Sequence, residues 1–216
     1  MARLTDQIGK YDIVERIGKG GMGMVYKARP PTLDRYVILK KLTISGDASM
    51  RERFRREAEI MIDFRTDYVV DVYDHFRHGS NDYIVLEYVE GVALNDLLEN
   101  ERYLDNDLAL LVARDCFRGL DYVHGKGVVH RDVKPGNVLI SRTGEVKLLD
   151  FGIASRVTAF EDELTREGMT LGTVAYIAPE QIERIRDVDR RADVYPAGAM
   201  LYEMVTGRKA FSGAFN

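Results

Sequence analysis

H-R-D-V-K-P-G-N-V-L-I-S-R-T-G-E-V-K-L-L-D-F-G, running from His130 to Gly152, is the segment from which the rest of the chain can be interpreted. Val138-Leu139-Ile140 and Val146-Lys147-Leu148-Leu149 are apolar arms of strand character, and Thr143-Gly144 between them carries turn chemistry, so a β-hairpin is expected. A hairpin brings its ends together. Asp132, Lys134 and Asn137 at one end are therefore expected beside Asp150 at the other, on loops held by a rigid element.

Such a group suits phosphoryl chemistry. A carboxylate and an amide, Asp150 and Asn137, supply hard oxygen ligands for Mg²⁺, which shares its coordination sphere readily with phosphate. Asp132 is left to accept a proton from an attacking hydroxyl, and Lys134 to offset charge on a moving phosphoryl group; positioning and charge compensation are most of what that reaction requires. Taken singly, an Asp or Asn in a loop is usually a turn former. The combination H-R-D-x-K-x-x-N with D-F-G beyond a hairpin is too particular for that explanation.

Composition narrows the field. The 216 residues are 45% hydrophobic and 31% charged with a net charge of −4, an ordinary globular balance with room for a sizeable core. The 31 basic residues are scattered, so no nucleic-acid surface is expected. No apolar run is long enough to span a bilayer and Met1 to Lys10 lacks a signal-peptide core, which points to a cytoplasmic polypeptide without a membrane segment. The single cysteine, Cys116, falls on the apolar stripe of a predicted helix and is read as a core thiol.

Towards the N-terminus, Tyr11 to Ile17 and Met24 to Ala28 read as strands around G-K-G-G-M-G, giving G-x-G-x-x-G-x-V through Gly18, Gly20, Gly23 and Val25. A dinucleotide fingerprint would open a helix; here Val25-Tyr26 and then Pro30-Pro31 forbid one. A glycine-rich β-turn can instead lay its backbone amides over phosphates. Tyr36 to Leu42 is a further strand carrying Lys40 among apolar residues, either an edge gatekeeper or a buried cation with a partner. Met50 to Ile62 has helical spacing with Phe54, Ala58, Met61 and Ile62 on one face, and Glu57 at its border could pair with Lys40 or stand exposed. Val69 to Tyr73 and Tyr83 to Val89 read as strands with a turn at His78 to Asp82. From Val92 the pattern is helical. Asp105 or Asn106 is expected to cap a long helix with Leu108, Val112, Cys116, Leu120 and Val123 inward and Gly125 as its end. Asp193 is expected to cap a helix Val194 to Thr206 with Ala197, Leu201, Met204 and Val205 inward and Gly207 as stop.

Together these motifs resemble the eukaryotic-type Ser/Thr protein kinases, bacterial branch, over nearly everything from Tyr11 to Phe211. The resemblance implies an α+β, bilobal fold: a small antiparallel sheet with one helix at residues 1–90, and a mainly helical, partial second lobe at 91–216. It implies an ATP- and Mg²⁺-dependent protein Ser/Thr kinase, with protein substrates and with threonines of its own activation segment as acceptors. Asp132 would orient the substrate hydroxyl, Lys134 stabilise the phosphoryl group, and Asn137 and Asp150 bind the metal. Lys40, held by Glu57, would grip the phosphates beneath Gly18, Gly20 and Gly23. Ile17, Val25, Ile38 and Leu139 would enclose the adenine, Leu86 would be the gatekeeper, and backbone groups of Glu87 and Val89 would bond the base.

Ile153 to Leu171 corresponds to the activation segment, where a phosphate on Thr165 or Thr170 could pair with Arg131. Thr173 would bond Asp132 and Lys134, Ala178-Pro179-Glu180 would close the segment, and Asp193 would brace the His130-Arg131 turn. Pro196 replaces the usual Ser or Ala and is expected in a first helical turn that needs no donor there. Ile38 departs from the family's alanine and sets a larger side chain against the base, where overpacking typically costs about 1–3 kcal/mol. The chain ends at Asn216, before the helices that complete such a lobe. It is therefore expected to be a fragment, a truncated gene product, or a chain whose missing surface comes from a second copy or a partner. The rival reading is a catalytically inactive, pseudokinase-like scaffold; a small-molecule phosphotransferase is disfavoured by the intact activation segment.

Overall fold

Successive side chains along Tyr11–Gly20, Gly23–Arg29 and Val37–Leu42 point to opposite faces, which gives each strand one face for a core, and the three pair in sequence order. The computed structural model describes residues 6–20, 23–32, 34–42, 55, 58–150, 175–183 and 188–211. The chain divides into two compact units, residues 1–65 with 70–89, and residues 66–69 with 90–216. A single cut at residue 90 does not give this division, because 66–69 belongs to the second unit.

The first unit is a six-stranded antiparallel sheet: β1 (Gln7–Ile8), β2 (Tyr11–Gly20), β3 (Gly23–Arg29), β4 (Val37–Leu42), β5 (Val72–His78) and β6 (Asn81–Glu87), in the order β1-β2-β3-β4-β6-β5. One face packs Tyr11, Ala28, Val37, Leu39 and Val85, joined by Tyr26 and by Phe76 stacked between Tyr11 and Tyr83. The register puts a second set on the opposite face. Gly18 lies across from Val25, Val25 from Lys40, Lys40 from Ile84, and Ile38 from both Lys27 and Leu86. A period of two thus gathers Gly18, Val25, Ile38, Lys40 and Leu86 on one surface. Gly20 pairs with Gly23, so the strands run further into the glycine segment than expected, and the tip at 21–22 lies outside the described residues.

Two boundaries differ from expectation. β5 begins at Val72 and runs to His78, so the turn is Gly79-Ser80, with Gly79 at φ 60°. Residues 58–62 are helical with Ala58 and Met61 buried as expected, whereas Phe54 and Glu57 lie outside the described residues.

In the second unit, β7 (Gly91–Ala93), β8 (Val138–Ser141) and β9 (Val146–Leu148) form a three-stranded sheet, followed in packing by helices α1 (Leu94–Glu101), α2 (Asn106–Gly125), α3 (Pro179–Glu183) and α4 (Arg191–Thr206). The β8–β9 hairpin turns at Thr143-Gly144 as expected, with Gly144 at φ 86°. β7 replaces the expected start of a helix at Val92. A three-residue apolar stretch beside glycine has no period of its own, and pairing with β8 decides it.

Asp105 caps α2, its Oδ1 accepting the Asp107 amide at 2.9 Å. The inward stripe is Ala109, Val112, Ala113, Cys116, Gly119, Leu120 and Val123; Leu108, expected inward, is 43% exposed. Small residues set this face. They let α2 close on β9, and a count of large apolar residues misplaces the stripe by one position. Cys116 is buried and its thiol is pushed up to about 12 by burial, as suits a core residue.

α4 begins at Arg191, three residues before the expected start, and ends at Gly207 in the left-handed region at φ 67°. Asp193 is therefore not its cap; Asp189 Oδ1 accepts the Arg191 amide at 2.9 Å instead. The earlier start also puts Pro196 inside the helix, where it cannot donate to the Ala192 carbonyl. The buried stripe is Ala192, Asp193, Pro196, Ala197, Ala199, Met200 and Met204, while Leu201 and Val205 are half-buried. Among the described residues no helix is long and apolar enough to cross a membrane.

A Cβ at Gly119 would sit 2.8 Å from Leu148 Cδ1 and 2.9 Å from the Tyr68 carbonyl oxygen, whereas one at Gly125 would meet nothing within 4 Å. Gly119→Ala should cost about 1–3 kcal/mol by overpacking despite alanine's helix propensity, and Gly125→Ala should be neutral or stabilising by about 0.5–1 kcal/mol. Urea unfolding of the two variants checks the contrast.

Candidate active site

The catalytic-loop residues are placed by backbone bonds before any side chain acts. The Leu149 amide donates to the Asn137 carbonyl at 2.8 Å, extending the Val138–Leu148 pairing by one step. Asp150 is the next residue, so the hairpin sets the metal-ligand candidates Asn137 and Asp150 at its two ends as the sequence implied. Residues 135–137 form a short 3-10 turn, with the Asn137 amide bonded to the Lys134 carbonyl at 2.9 Å.

Asn137 is buried, and its carboxamide has a defined orientation. Both hydrogens of Nδ2 are used, on the Asp132 carbonyl at 2.7 Å and on Asp132 Oδ2 at 2.8 Å. That leaves Oδ1 as the remaining polar atom of the side chain. Lys134 Nζ meets the same Asp132 Oδ2 at 2.8 Å, with both side chains about a quarter exposed at 27% and 23%. Asp132 is thus gripped through one oxygen, and Oδ1 carries neither contact. Such a carboxylate can accept a proton from a hydroxyl while the lysine stays beside it.

A divalent ion fits this donor set. The Asn137 carboxamide oxygen and the Asp150 carboxylate are hard donors, and two protein oxygens match Mg²⁺, which keeps waters and phosphates in its remaining positions. Among the described residues no larger cluster of His, Cys, Asp and Glu competes for such an ion.

The loop is held from below by α4. Asp193, fully buried, accepts the His130 amide on Oδ2 at 2.8 Å and the Arg131 amide on Oδ1 at 2.6 Å, as expected from the family likeness. His124 Nε2 lies 2.7 Å from Oδ2 of the same carboxylate. Arg131 sits at φ 67° and Asp150 at φ 51°, a conformation that costs a non-glycine residue about 1–3 kcal/mol and persists only when neighbours impose it. His130 is fully buried and its Nδ1 accepts the Asp132 amide at 3.3 Å; burial holds its imidazole below the ordinary range, as a neutral packed histidine.

Two supporting residues escaped the sequence reading. Gln181, buried in α3, accepts the Ala178 amide at 3.2 Å and donates to the Arg131 carbonyl at 2.9 Å, tying the Ala-Pro-Glu turn to the catalytic loop. His124 escaped as well, although a basic residue in the last turn of a helix is a signal for a local anion. Tyr176, just before that turn, donates its hydroxyl to Glu203 of α4. Thr158, Thr165, Thr170 and Thr173, with Phe151 and Gly152, lie outside the described residues.

In the first unit, Glu87 is fixed by Asp71: its amide donates to the Asp71 carbonyl at 2.9 Å and its Oε2 accepts the Asp71 amide at 3.2 Å. The Glu87 N–H is thus already committed to Asp71. Leu86 is largely buried, Ile38, Glu87 and Val89 are half-buried, and Ile17 is exposed.

Comparison with known proteins agrees with this geometry. Residues 11–215 match the family model described as the protein kinase domain. The chain is 40% identical over 210 residues to the serine/threonine-protein kinase PknB of Mycobacterium tuberculosis, covering 94% of this chain and 33% of that protein. It is 40% identical over 220 residues to the serine/threonine-protein kinase PknA of Corynebacterium glutamicum, covering 98% and 46%. A probable serine/threonine-protein kinase of Streptomyces coelicolor is 38% identical over 211 residues, covering 95% and 31%. The chain thus spans about a third to a half of these relatives. The crystal structure of Rad53 1–466 in complex with AMP-PNP superposes with a TM-score of 0.77 at 26% identity, covering 95% of this chain and 51% of that one.

Asp193→Asn should lower stability by about 2–4 kcal/mol, the cost of weakening charge-assisted bonds inside a core. Guanidinium unfolding with amide exchange at His130 and Arg131 measures it. His130 generates a pH dependence of definite sign. With its folded pKa depressed, the unfolded chain binds the extra proton first, so stability is full above about 6.5 and falls as pH drops below that value. His130→Phe should flatten this part of the stability-versus-pH curve, measured between pH 7 and 5.

Proposed function

Because the chain belongs to the protein kinase domain family, we propose that it is the catalytic part of a protein serine/threonine kinase, transferring the γ-phosphoryl group of ATP to hydroxyls of protein substrates. The observation that carries this is the single-oxygen grip on Asp132, whose Oδ2 is held by Lys134 and Asn137 and whose Oδ1 is left for a substrate hydroxyl. The names of the relatives support the same activity.

Asp132 orients the alcohol and takes its proton as the new P–O bond forms and the bond from the γ-phosphorus to the bridging oxygen breaks, releasing ADP. Lys134, already beside it, compensates charge that develops on the moving phosphoryl oxygens. Asn137 can do two jobs with one carboxamide: its Nδ2 fixes Asp132, and its Oδ1, with the Asp150 carboxylate, would hold Mg²⁺. Bound there, the ion would neutralise phosphate charge and orient the triphosphate.

The nucleotide surface of the first unit is the sheet face bearing Gly18, Val25, Ile38, Lys40 and Leu86, with Gly20 and Gly23 at the hairpin end. The Glu87 carbonyl and the Val89 backbone would bond the adenine edge, with Ile17 bordering the base. Further acceptors are threonines of the segment 153–171. The exposed Leu110 and Phe117 on α2 support a further covering surface from a second copy or a partner. A buried, unbridged Cys116 suits a reducing compartment such as the cytoplasm.

Incubation with labelled ATP, Mg²⁺ and a generic protein substrate tests the proposal. Label should appear on serine and threonine, and Asp132→Asn should reduce it by about 10²–10⁴-fold, the usual weight of a positioned base. Equal background labelling in both would overturn it in favour of a non-catalytic scaffold.

A further inference from the structure

Outside the residues given roles above, the first unit seats a cation in the corner of two aromatic rings. Lys27 Nζ donates to the Tyr88 hydroxyl at 3.0 Å and lies 4.2 Å from the centroid of that ring. The Tyr36 ring centroid is 4.4 Å away, and the two rings meet edge to face at 5.8 Å, so the nitrogen sits in the angle that the two rings make. Glu15 Oε1 is 3.8 Å from the same nitrogen, and the lysine side chain is only 16% exposed. A lysine so placed is not a solvated surface charge; the faces of both rings and a hydroxyl replace much of its water.

Its position gives the enclosure a consequence. Lys27 is directly across from Ile38, on the face that also carries Val25 and Lys40. Tyr36 stands immediately before β4, and Tyr88 immediately after β6. One ammonium thus ties β3, the start of β4 and the segment Glu87 to Val89. Asp71 already anchors that segment at Glu87. Lys27 supplies a second anchor one residue on, where the chain has left the ladder of β6 and has fewer constraints of its own.

We propose that Lys27 is a positioning residue for the nucleotide: held between Tyr36 and Tyr88, it fixes the backbone of Glu87 to Val89 in the register that an adenine edge requires. The inference rests on the reading of that segment as the partner of the base. Lys27 touches no reacting atom, so its loss acts on nucleotide affinity and on recognition of the base. Phosphoryl transfer in the saturated enzyme is left intact.

The test compares wild type with Lys27→Met, which keeps the stem and removes the charge, Lys27→Arg, which keeps a stacking cation, and Tyr88→Phe, which removes only the acceptor. KM and kcat are measured with ATP and with inosine triphosphate, whose base has a carbonyl in place of the amino group that the Glu87 carbonyl would accept. Lys27→Met should raise the KM for ATP about three- to tenfold, leave kcat within about twofold, and narrow the preference for ATP over inosine triphosphate. Lys27→Arg should recover most of the affinity. Tyr88→Phe should fall between, and adding it to Lys27→Met should cost little more, as coupled neighbours do. An unchanged ATP KM and base preference in Lys27→Met would overturn the role of Lys27 while leaving the adenine reading intact. So would a Lys27→Arg as impaired as Lys27→Met, or a loss confined to kcat. A wild type that does not discriminate between the two nucleotides would remove the adenine reading and this inference with it. Should Lys27→Met fail to fold, the nearly isosteric Tyr88→Phe decides: a raised KM for ATP at unchanged kcat supports the anchor, and an unchanged KM overturns it.

Discussion

A carboxylate buried under the catalytic loop is the constraint on which the second unit depends. Asp193 projects from the first turn of α4, and its oxygens accept the amides of His130 and Arg131. An ionised group in a core is costly unless its lone pairs are satisfied, and here two backbone donors and His124 Nε2 surround it. The bonds have a structural return. They hold Arg131 at a positive φ that the residue would not adopt alone, and this fixes where Asp132 emerges. Gln181 secures the carbonyl side of the same residue, so Arg131 is pinned by its amide from α4 and by its carbonyl from α3.

From that fixed point the chemistry follows by elimination of hydrogen-bonding capacity. Asn137 spends both of its amide hydrogens on Asp132 and keeps an oxygen; Asp132 spends one oxygen on Asn137 and Lys134 and keeps the other. What is left over is a hard donor for a cation and a proton acceptor for an alcohol, on residues whose rotamers are set by their mutual bonds. A site that needs positioning more than covalent chemistry is well served by such an arrangement. The β8–β9 hairpin extends it to Asp150 through one backbone bond.

Much of this was legible in the sequence because short-range patterns encode it. The hairpin arms, the Thr143-Gly144 turn and the strands carrying Val25 and Lys40 needed no tertiary information. Asp193 could be matched to its role only through family likeness, and read locally it looks like a helix cap. The structure starts α4 three residues earlier, with Arg190 at the cap position and Asp189 Oδ1 accepting the Arg191 amide, and Asp193 in the first turn serves the loop. Leu108 misled for a related reason: size suggests burial, but the buried α2 face includes Ala109 and Gly119, and the smallness of Gly119 permits close approach to Leu148 of β9. β7 was lost because three residues carry no period. Gln181 and His124 act across 50 and 69 residues of sequence, beyond the reach of any local pattern.

The first unit shows the same division between local and distant control. The face proposed for the nucleotide is set by strand register, while the segment beyond β6 depends on contacts made from elsewhere in the unit, Asp71 at Glu87 and Lys27 at Tyr88. The most direct measurement of the whole account is a crystal structure of the protein with Mg²⁺ and a non-hydrolysable ATP analogue. It should show the Asn137 Oδ1 and an Asp150 carboxylate oxygen in the coordination sphere of a magnesium ion, at about 2.0–2.1 Å, with Asn137 Nδ2 still bonded to Asp132. A metal bound elsewhere, or an Asn137 amide turned so that its nitrogen faces the ion, would contradict the account.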